Sequence, residues 1–254
     1  MFSWFKIFKR KKFLTYNMYS FLPKRLIKSL QIFRFRLNYH LDYLIKKGVK
    51  INTIYDIGAF HGEWSWFLNK TSLKNKNFYL FEANEKHENI IKSKGFNYFI
   101  GVLSDKIKKV KFYTINNTGD SYFLEQTNIY ESNFKPKIKN TITLDQIVKQ
   151  KKFKLPDFIK IDTQGSEIDI LRGAKNTLSK CSLILLECPI VEYNLNSPNL
   201  SVYIKYLNSI NFIPFDVCEI HRINNVLIQI DILFIKKNIF KQIYKGKKIL
   251  HLLN

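Results

Sequence analysis

The residues most able to do chemistry in this chain are a glycine-punctuated turn and an acidic residue one strand later. In Tyr55-Asp56-Ile57-Gly58-Ala59-Phe60-His61-Gly62, an apolar run ends in two glycines separated by three residues, and Glu82 closes the next apolar run. Glycines at such a turn let the backbone bend tightly and let a ligand approach. The helix expected behind it offers free N–H groups. The dinucleotide pattern Gly-x-Gly-x-x-Gly and the Gly-Lys-Ser/Thr of a phosphate loop are both absent; Asp56-x-Gly58-x-x-x-Gly62 stands in their place. A carboxylate beside a pyrophosphate would repel it, so Asp56 suits a ligand carrying an ammonium group. Glu82 can accept both hydroxyls of a ribose. Ser104 and Asp105, after the third apolar run, can bond an adenine amine. A nucleoside with an amino-acid tail and no phosphate meets these needs, and S-adenosylmethionine is such a ligand. Its expected pocket is Asp56, Gly58, Ala59, Gly62, Glu82, Ala83, Ser104 and Asp105. The plainer alternative is that the acidic residues cap loops, where Asp and Ser are ordinary.

A second group is expected around Asp162, which ends an apolar run just before Gly165. In open sheets the carboxyl ends of strands are where ligands bind. A carboxylate there can take or orient the proton of a reacting hydroxyl. Together with Glu187 it could instead hold a divalent cation that acidifies the hydroxyl, or it could cap the next helix. Gln164 could touch substrate or only its own loop. Glu167 belongs either to the active site or to the first turn of a helix, where negative charge is favourable. These three, Asp162, Gln164 and Glu167, form the expected catalytic set, with no dedicated metal ligands assigned. His61, inside the turn, and His221, after the sixth strand, have the right pKa range for a base, although a lone histidine more often packs or faces solvent.

These side chains need a scaffold, and the hydrophobic pattern supplies one. Leu26, Leu30, Phe33, Leu37, Leu41, Leu44 and Ile45 recur at three or four, predicting a helix over 24–47 that stops at Gly48. Strands and helices then alternate in the manner of a parallel α/β sheet. Strands are expected at 52–57, 78–81, 98–103, 156–161 and 182–187, with last strands at 212–217 and 227–235. Helices are expected at 62–69, 84–94, 166–179 and 198–209, and Thr143-Leu144-Asp145-Gln146 opens a short one with a capping box. An extra strand is read at 108–115. Residues 116–140, which include Gly119-Asp120-Ser121-Tyr122, read as a long polar loop that either covers an acceptor or is simply solvated. The domain reading is a basic aromatic N-terminal segment and helix over 1–49, a catalytic domain over 50–238, and a basic tail over 239–254.

The blocks Asp56-Ile57-Gly58-Ala59, Phe81-Glu82, Leu103-Ser104-Asp105 and, above all, the stretch from Lys160 through Asp162-Thr163-Gln164-Gly165-Ser166-Glu167 to Gly173-Ala174 resemble the FkbM family of methyltransferases, over about residues 50 to 236. The Asp-x-Gln-Gly-x-Glu block is the most specific part. The resemblance implies a Rossmann-like class I methyltransferase fold, with a seven-stranded, mostly parallel sheet whose last strand is antiparallel. It also implies methyl transfer from S-adenosylmethionine, usually to a hydroxyl oxygen of a sugar, polyketide or similar metabolite. Two departures touch the cofactor pocket: Phe60 stands where the family often has Asn, and Ala83-Asn84 follows Glu82 where Pro is frequent.

Bulk properties bound the partners. The 254 residues are 46% hydrophobic and carry 42 basic against 20 acidic side chains, a net charge of +22. Such a chain can bury a core, and its field suits anionic partners such as a phosphate-bearing acceptor. Scattered lysines also arise from compositional drift. Cys181, Cys188 and Cys218 lack metal or disulfide spacing and are expected as buried free thiols. The N-terminus lacks a signal-peptide core, and no window reaches the roughly 18 apolar residues of a membrane span. A cytoplasmic protein is expected. Residues 1–24 either lie against a membrane surface or pack on the domain. The leading function is an O-methyltransferase acting on a sugar, glycan or related metabolite. The alternatives are an RNA cap or ribose methyltransferase and a non-catalytic scaffold. The Asn/Asp-Pro-Pro-aromatic sequence common in base methylation is absent.

Overall fold

The computed structural model describes residues 36–114, 119–126 and 135–245. The first described element is α1 (Arg36–Lys46), the C-terminal part of the helix expected over 24–47. The membrane question over 1–24 and the tail from 246 onward lie outside the described residues. The core elements follow as β1 (Thr53–Ile57), α2 (Glu63–Lys70) and β2 (Asn77–Glu82). A single 3-10 turn then runs into α3 (Glu88–Ser93), followed by β3 (Asn97–Ile100), β4 (Val102–Leu103), β5 (Lys109–Phe112) and β6 (Lys137–Ile142). The second half holds α4 (Leu144–Lys151), β7 (Phe158–Ile161), α5 (Glu167–Arg172), β8 (Leu183–Pro189), α6 (Leu200–Ser209), β9 (Phe212–Ile223), β10 (Val226–Lys236) and α7 (Lys237–Ile243).

Seven strands form one sheet in the order β3-β2-β1-β7-β8-β10-β9. The first five in that order are mutually parallel, and β10 runs antiparallel to both β8 and β9. This is the mostly parallel sheet with an antiparallel last strand expected above. Strand residues alternate between two apolar layers, as the period of two requires. Tyr55, Ile57, Ile159 and Ile161 pack with α4, α5 and α6 on one face. Ile54, Phe158, Leu183 and Leu185 pack with α1, α2, α3 and α7 on the other. Strand order reverses between β1 and β7, and in such sheets the crevice outside the carboxyl ends at that point is the ligand-binding place. Among the described residues, no helix is long and apolar enough to cross a membrane.

Four expectations needed correction. The strand read over 98–103 is two strands: Gly101, at φ +158°, breaks it, and β4 leaves the main sheet to pair with β6. Part of the loop read over 116–140 is β6, whose other partner is β5. The helix read over 166–179 is a helix that ends at Arg172 and a 3-10 turn over Thr177–Ser179, with Gly173 between them so close to the Ser104 carbonyl that a Cβ would lie 2.3 Å from it. The sixth strand extends to Ile223, so His221 lies within it rather than after it. The hairpin to β10 turns on Asn224 and Asn225, both at positive φ, which is the geometry of a two-residue hairpin turn that asparagine tolerates. The three cysteines are buried free thiols, as expected.

Candidate active site

The ends of β1 and β7 meet at the reversal point of the sheet. Gly58 (φ +75°) lies so close to the β7 terminus that a Cβ on it would sit 1.9 Å from the Asp162 carbonyl oxygen. Gly62 (φ +71°) is held near Leu80, whose Cδ2 would be 2.7 Å from an added Cβ. The glycines therefore serve close packing of the turn on neighbouring strands. The turn's N–H groups are largely taken up internally. Those of Gly58 and Ala59 donate to the Phe81 carbonyl at 2.9 and 3.0 Å, and that of Gly62 donates to the Ala59 carbonyl at 2.7 Å.

Asp56 is fully buried and already has partners. Ser65 Oγ donates to its Oδ2 at 2.7 Å, and Lys160 Nζ lies 3.4 Å from its Oδ1. The same ammonium lies 3.2 Å from Asp162 Oδ2 and donates to the Gly58 carbonyl at 3.2 Å. The ammonium that the Asp56 sequence context invites is thus supplied by the chain itself. Burial alone would lower the Lys160 pKa, but Asp162 and Asp56 raise it, so the side chain is charged. Reading Lys160 as an ordinary strand residue missed this role. Its signal was present: it is the lone charge within Phe158-Ile159-Lys160-Ile161, and a lysine at a buried strand position is almost always paired.

Asp162 keeps 37% of its side chain exposed, enough to meet a ligand. Burial pushes its carboxyl up, yet the Lys160 charge, a hydrogen bond from Gln164 and the charge of His221 hold it below the usual carboxylate range. Gln164 sits at φ +57° and bridges two carboxylates, donating from Nε2 to Asp162 Oδ1 at 3.3 Å and to Glu187 Oε1 at 2.7 Å. An amide thus occupies the place between Asp162 and Glu187 where a shared cation was considered. Tyr193, which carried no sequence signal, puts its hydroxyl 3.1 Å from both Gln164 Oε1 and Glu187 Oε1. Burial, with the charges of Asp162, Asp231 and Glu167, pushes the Glu187 carboxyl well up.

Glu167 lies apart from this group. It is buried and accepts from the N–H groups of Thr163 (2.8 Å) and Gly165 (3.0 Å) and from Tyr203 OH (2.5 Å). Those bonds pin the turn that carries Gln164. Burial nonetheless raises its carboxyl above the ordinary range.

Glu82 closes β2 beside the glycine turn. Its Oε2 accepts the Phe60 N–H at 2.7 Å and its Oε1 the Asn84 N–H at 2.8 Å. Burial pushes its carboxyl up to about 7 in spite of those bonds. Phe60 holds φ +52°, a conformation that Asn adopts more readily, and its ring stacks on His61 at 3.7 Å. His61 Nε2 lies 3.1 Å from His87 Nδ1. The Ala83 carbonyl accepts Lys139 Nζ at 2.8 Å. Ser104 Oγ donates to Asp105 Oδ1 at 3.0 Å, which also takes Lys108 Nζ at 2.8 Å, and Tyr122 OH lies 3.2 Å from Ser104 Oγ.

Residues 119–126 run across this edge as a strap. Asn84 Nδ2 donates to Asp120 Oδ2 at 2.6 Å, and Ser121 Oγ to the Gln164 carbonyl at 3.0 Å. Leu195 N–H donates to the Leu124 carbonyl at 2.7 Å, and Gln126 N–H to the Tyr193 carbonyl at 2.8 Å. The strap joins the end of β2, the turn after β7 and the segment after β8.

The strand order reverses at Gly58 and Asp162, which puts both at the ligand-binding crevice of an open α/β sheet. The Methyltransferase FkbM domain matches residues 56–214, more than half of the chain, so this protein belongs to the FkbM methyltransferase family. A methyltransferase FkbM from Methylobacillus flagellatus KT is similar at 14% identity and TM-score 0.46, over 72% of this chain and 43% of that one. This chain therefore spans less than half of that relative. The O-methyltransferase from Bacillus cereus in complex with SAH is similar at 14% identity and TM-score 0.47, over 79% and 80% of the two chains. The M. capricolum TrmK in complex with S-adenosyl-homocysteine is similar at 17% identity and TM-score 0.43, over 78% and 68%. Comparison with curated protein sequences finds no significant match.

Proposed function

We propose that the protein transfers a methyl group from S-adenosylmethionine to a hydroxyl oxygen of a sugar, glycan or related metabolite. The observation that carries this reading is the Asp162 carboxylate at the carboxyl end of the middle strand, partly exposed, ionised beside Lys160 and aimed by Gln164. Bound S-adenosylmethionine supplies an electrophilic methyl group on a sulfonium. The ribose half of that cofactor fits Glu82. A carboxylate offers about four lone-pair positions; the Phe60 and Asn84 N–H groups take two, and a ribose diol would take what stays open. Asp162, held below the usual pKa, is a weak base but a strong acceptor. It orients the hydroxyl through its hydrogen and receives the proton as attack makes that hydrogen acidic. Lys160 keeps Asp162 ionised between turnovers.

Two measurements test this. Radiolabelled methyl transfer to a panel of sugars, glycans and RNA is expected to label the sugar or glycan arm. Asp162→Asn is expected to lower turnover about 100-fold or more with cofactor affinity nearly unchanged. Label in RNA alone would replace the acceptor class, and equal loss of cofactor binding would make Asp162 a pocket residue. Cofactor affinity should also depend on pH through Glu82. Its carboxyl titrates at about 7 in the free protein, and a diol donating to the ionised form lowers that value. Binding then releases a proton, and affinity falls by about tenfold from pH 8 to pH 6. Calorimetry should show this dependence in the wild type and its loss, with weaker binding, in Glu82→Gln.

A further inference from the structure

A second cluster lies on the outer strands, next to Glu187. Asp231 on β10 stands opposite Glu219 on β9 and opposite Glu187 on β8, and Gln229 stands opposite His221. Directly opposed residues, and residues two apart on one strand, share a sheet face, so Glu219, His221 and Asp231 project together. Register shifts fall on both sides of them, between Leu227 and Gln229 and between Asp231 and Ile232. Bulges of this kind re-aim side chains beside sites. Their ligand atoms all lie within 4.8 Å of one another. His221 Nε2 is 3.5 Å from Asp231 Oδ1. Ligands on one ion with bonds of about 2.1 Å sit roughly 3–4 Å apart, so this pair is already at ligand separation. Asp231 Oδ1 itself is shut off from solvent, and apart from the His221 ring at 3.5 Å it has no hydrogen-bond partner among the described residues. An anionic oxygen is costly in that state unless a cation meets it: the His221 ring does so when protonated, and with the ring neutral a metal ion shared with the ring would.

We propose that Glu219, His221 and Asp231 form a binding site for one divalent transition-metal ion of the Mn²⁺ and Zn²⁺ class. One imidazole with two carboxylates selects such ions over Mg²⁺ and Ca²⁺, which prefer all-oxygen sets. Three protein ligands leave coordination positions open. The site adjoins Glu187 across the β8–β10 pairing and the His221 charge acts on Asp162, but ion binding there does not depend on the methyl-transfer reading.

The probe is Mn²⁺ added to the full chain at pH 7.5, followed by loss of the free-ion electron paramagnetic resonance signal. One bound ion per chain is expected, displaced by Zn²⁺, with nitrogen modulation from a single imidazole in the bound-ion spectrum. Glu219→Gln, His221→Ala and Asp231→Asn should each weaken binding by about tenfold or more, with circular dichroism confirming the fold. Glu85→Gln, which removes a half-exposed carboxylate paired with Lys137, should bind as the wild type does. No uptake at millimolar Mn²⁺, uptake that all three variants leave unchanged, or a bound ion without imidazole coupling would overturn the proposal. The spectrum of the wild type decides even if a variant fails to fold.

Discussion

Gly58→Ala is expected to lose at least about 3 kcal/mol of stability, a large share of what a domain of this size has. Two costs add. An L-residue at φ +75° is strained by about 1–2 kcal/mol. The new Cβ would also sit 1.9 Å from the Asp162 carbonyl oxygen, and because both groups are backbone at strand ends, neither can swing aside. Gly95 separates these costs, since its φ is +74° and a Cβ there meets nothing within 4 Å. Urea unfolding should show Gly95→Ala losing only the conformational part and Gly58→Ala losing that plus the overlap. Equal losses would mean that the β1–β7 approach is looser than described. Because relief of the overlap must push the ends of β1 and β7 apart, methyl transfer should fall in Gly58→Ala even under conditions where it stays folded.

Lys160→Met is expected to destabilise by about 3–5 kcal/mol, the range for breaking a buried ion pair on one side only. Asp56, with no exposure, would lose the one cation that it meets among the described residues and keep the Ser65 hydroxyl. Adding Asp56→Asn to Lys160→Met should recover part of the loss, since residues in one network do not contribute additively. Activity gives a second readout. Lys160 is the main influence holding Asp162 below the usual carboxylate range. Without it burial dominates, the Asp162 pKa rises, and the acidic limb of the turnover profile should move to higher pH. A structural role alone would lower activity without moving that limb.

The sheet was legible in sequence because its strands are short apolar runs bounded by Gly, Asn and Asp, and such runs fit few other environments. β6 was not. Lys137-Ile138-Lys139-Asn140-Thr141-Ile142 reads as polar, and its side chains are fixed by distant partners. Lys139 Nζ reaches the Ala83 carbonyl, and Thr141 Oγ1 donates to the Lys106 carbonyl at 2.7 Å. Asp162, Gln164 and Glu82 do lie at the carboxyl edge, where strand-end position put them. Spacing could not show that Gln164 bridges to Glu187, that Tyr193 joins them, or that Glu167 points inward to Tyr203. Those facts depend on the register of β8 and on the path of the chain after it, and neither is written in local pattern.

The position of β10 bears on how the chain is made. Val226–Lys236 lies between β8 and β9 although both are synthesised before it. Among the described residues, β9 has no sheet partner until β10 arrives, and one edge of β8 stays bare. That edge includes Leu183, Ile184, Leu185 and Leu186, an apolar stretch of the kind that recruits strands from other chains. Completion of the sheet waits for Lys236 to emerge, and until then the nascent polypeptide carries an open template for aggregation.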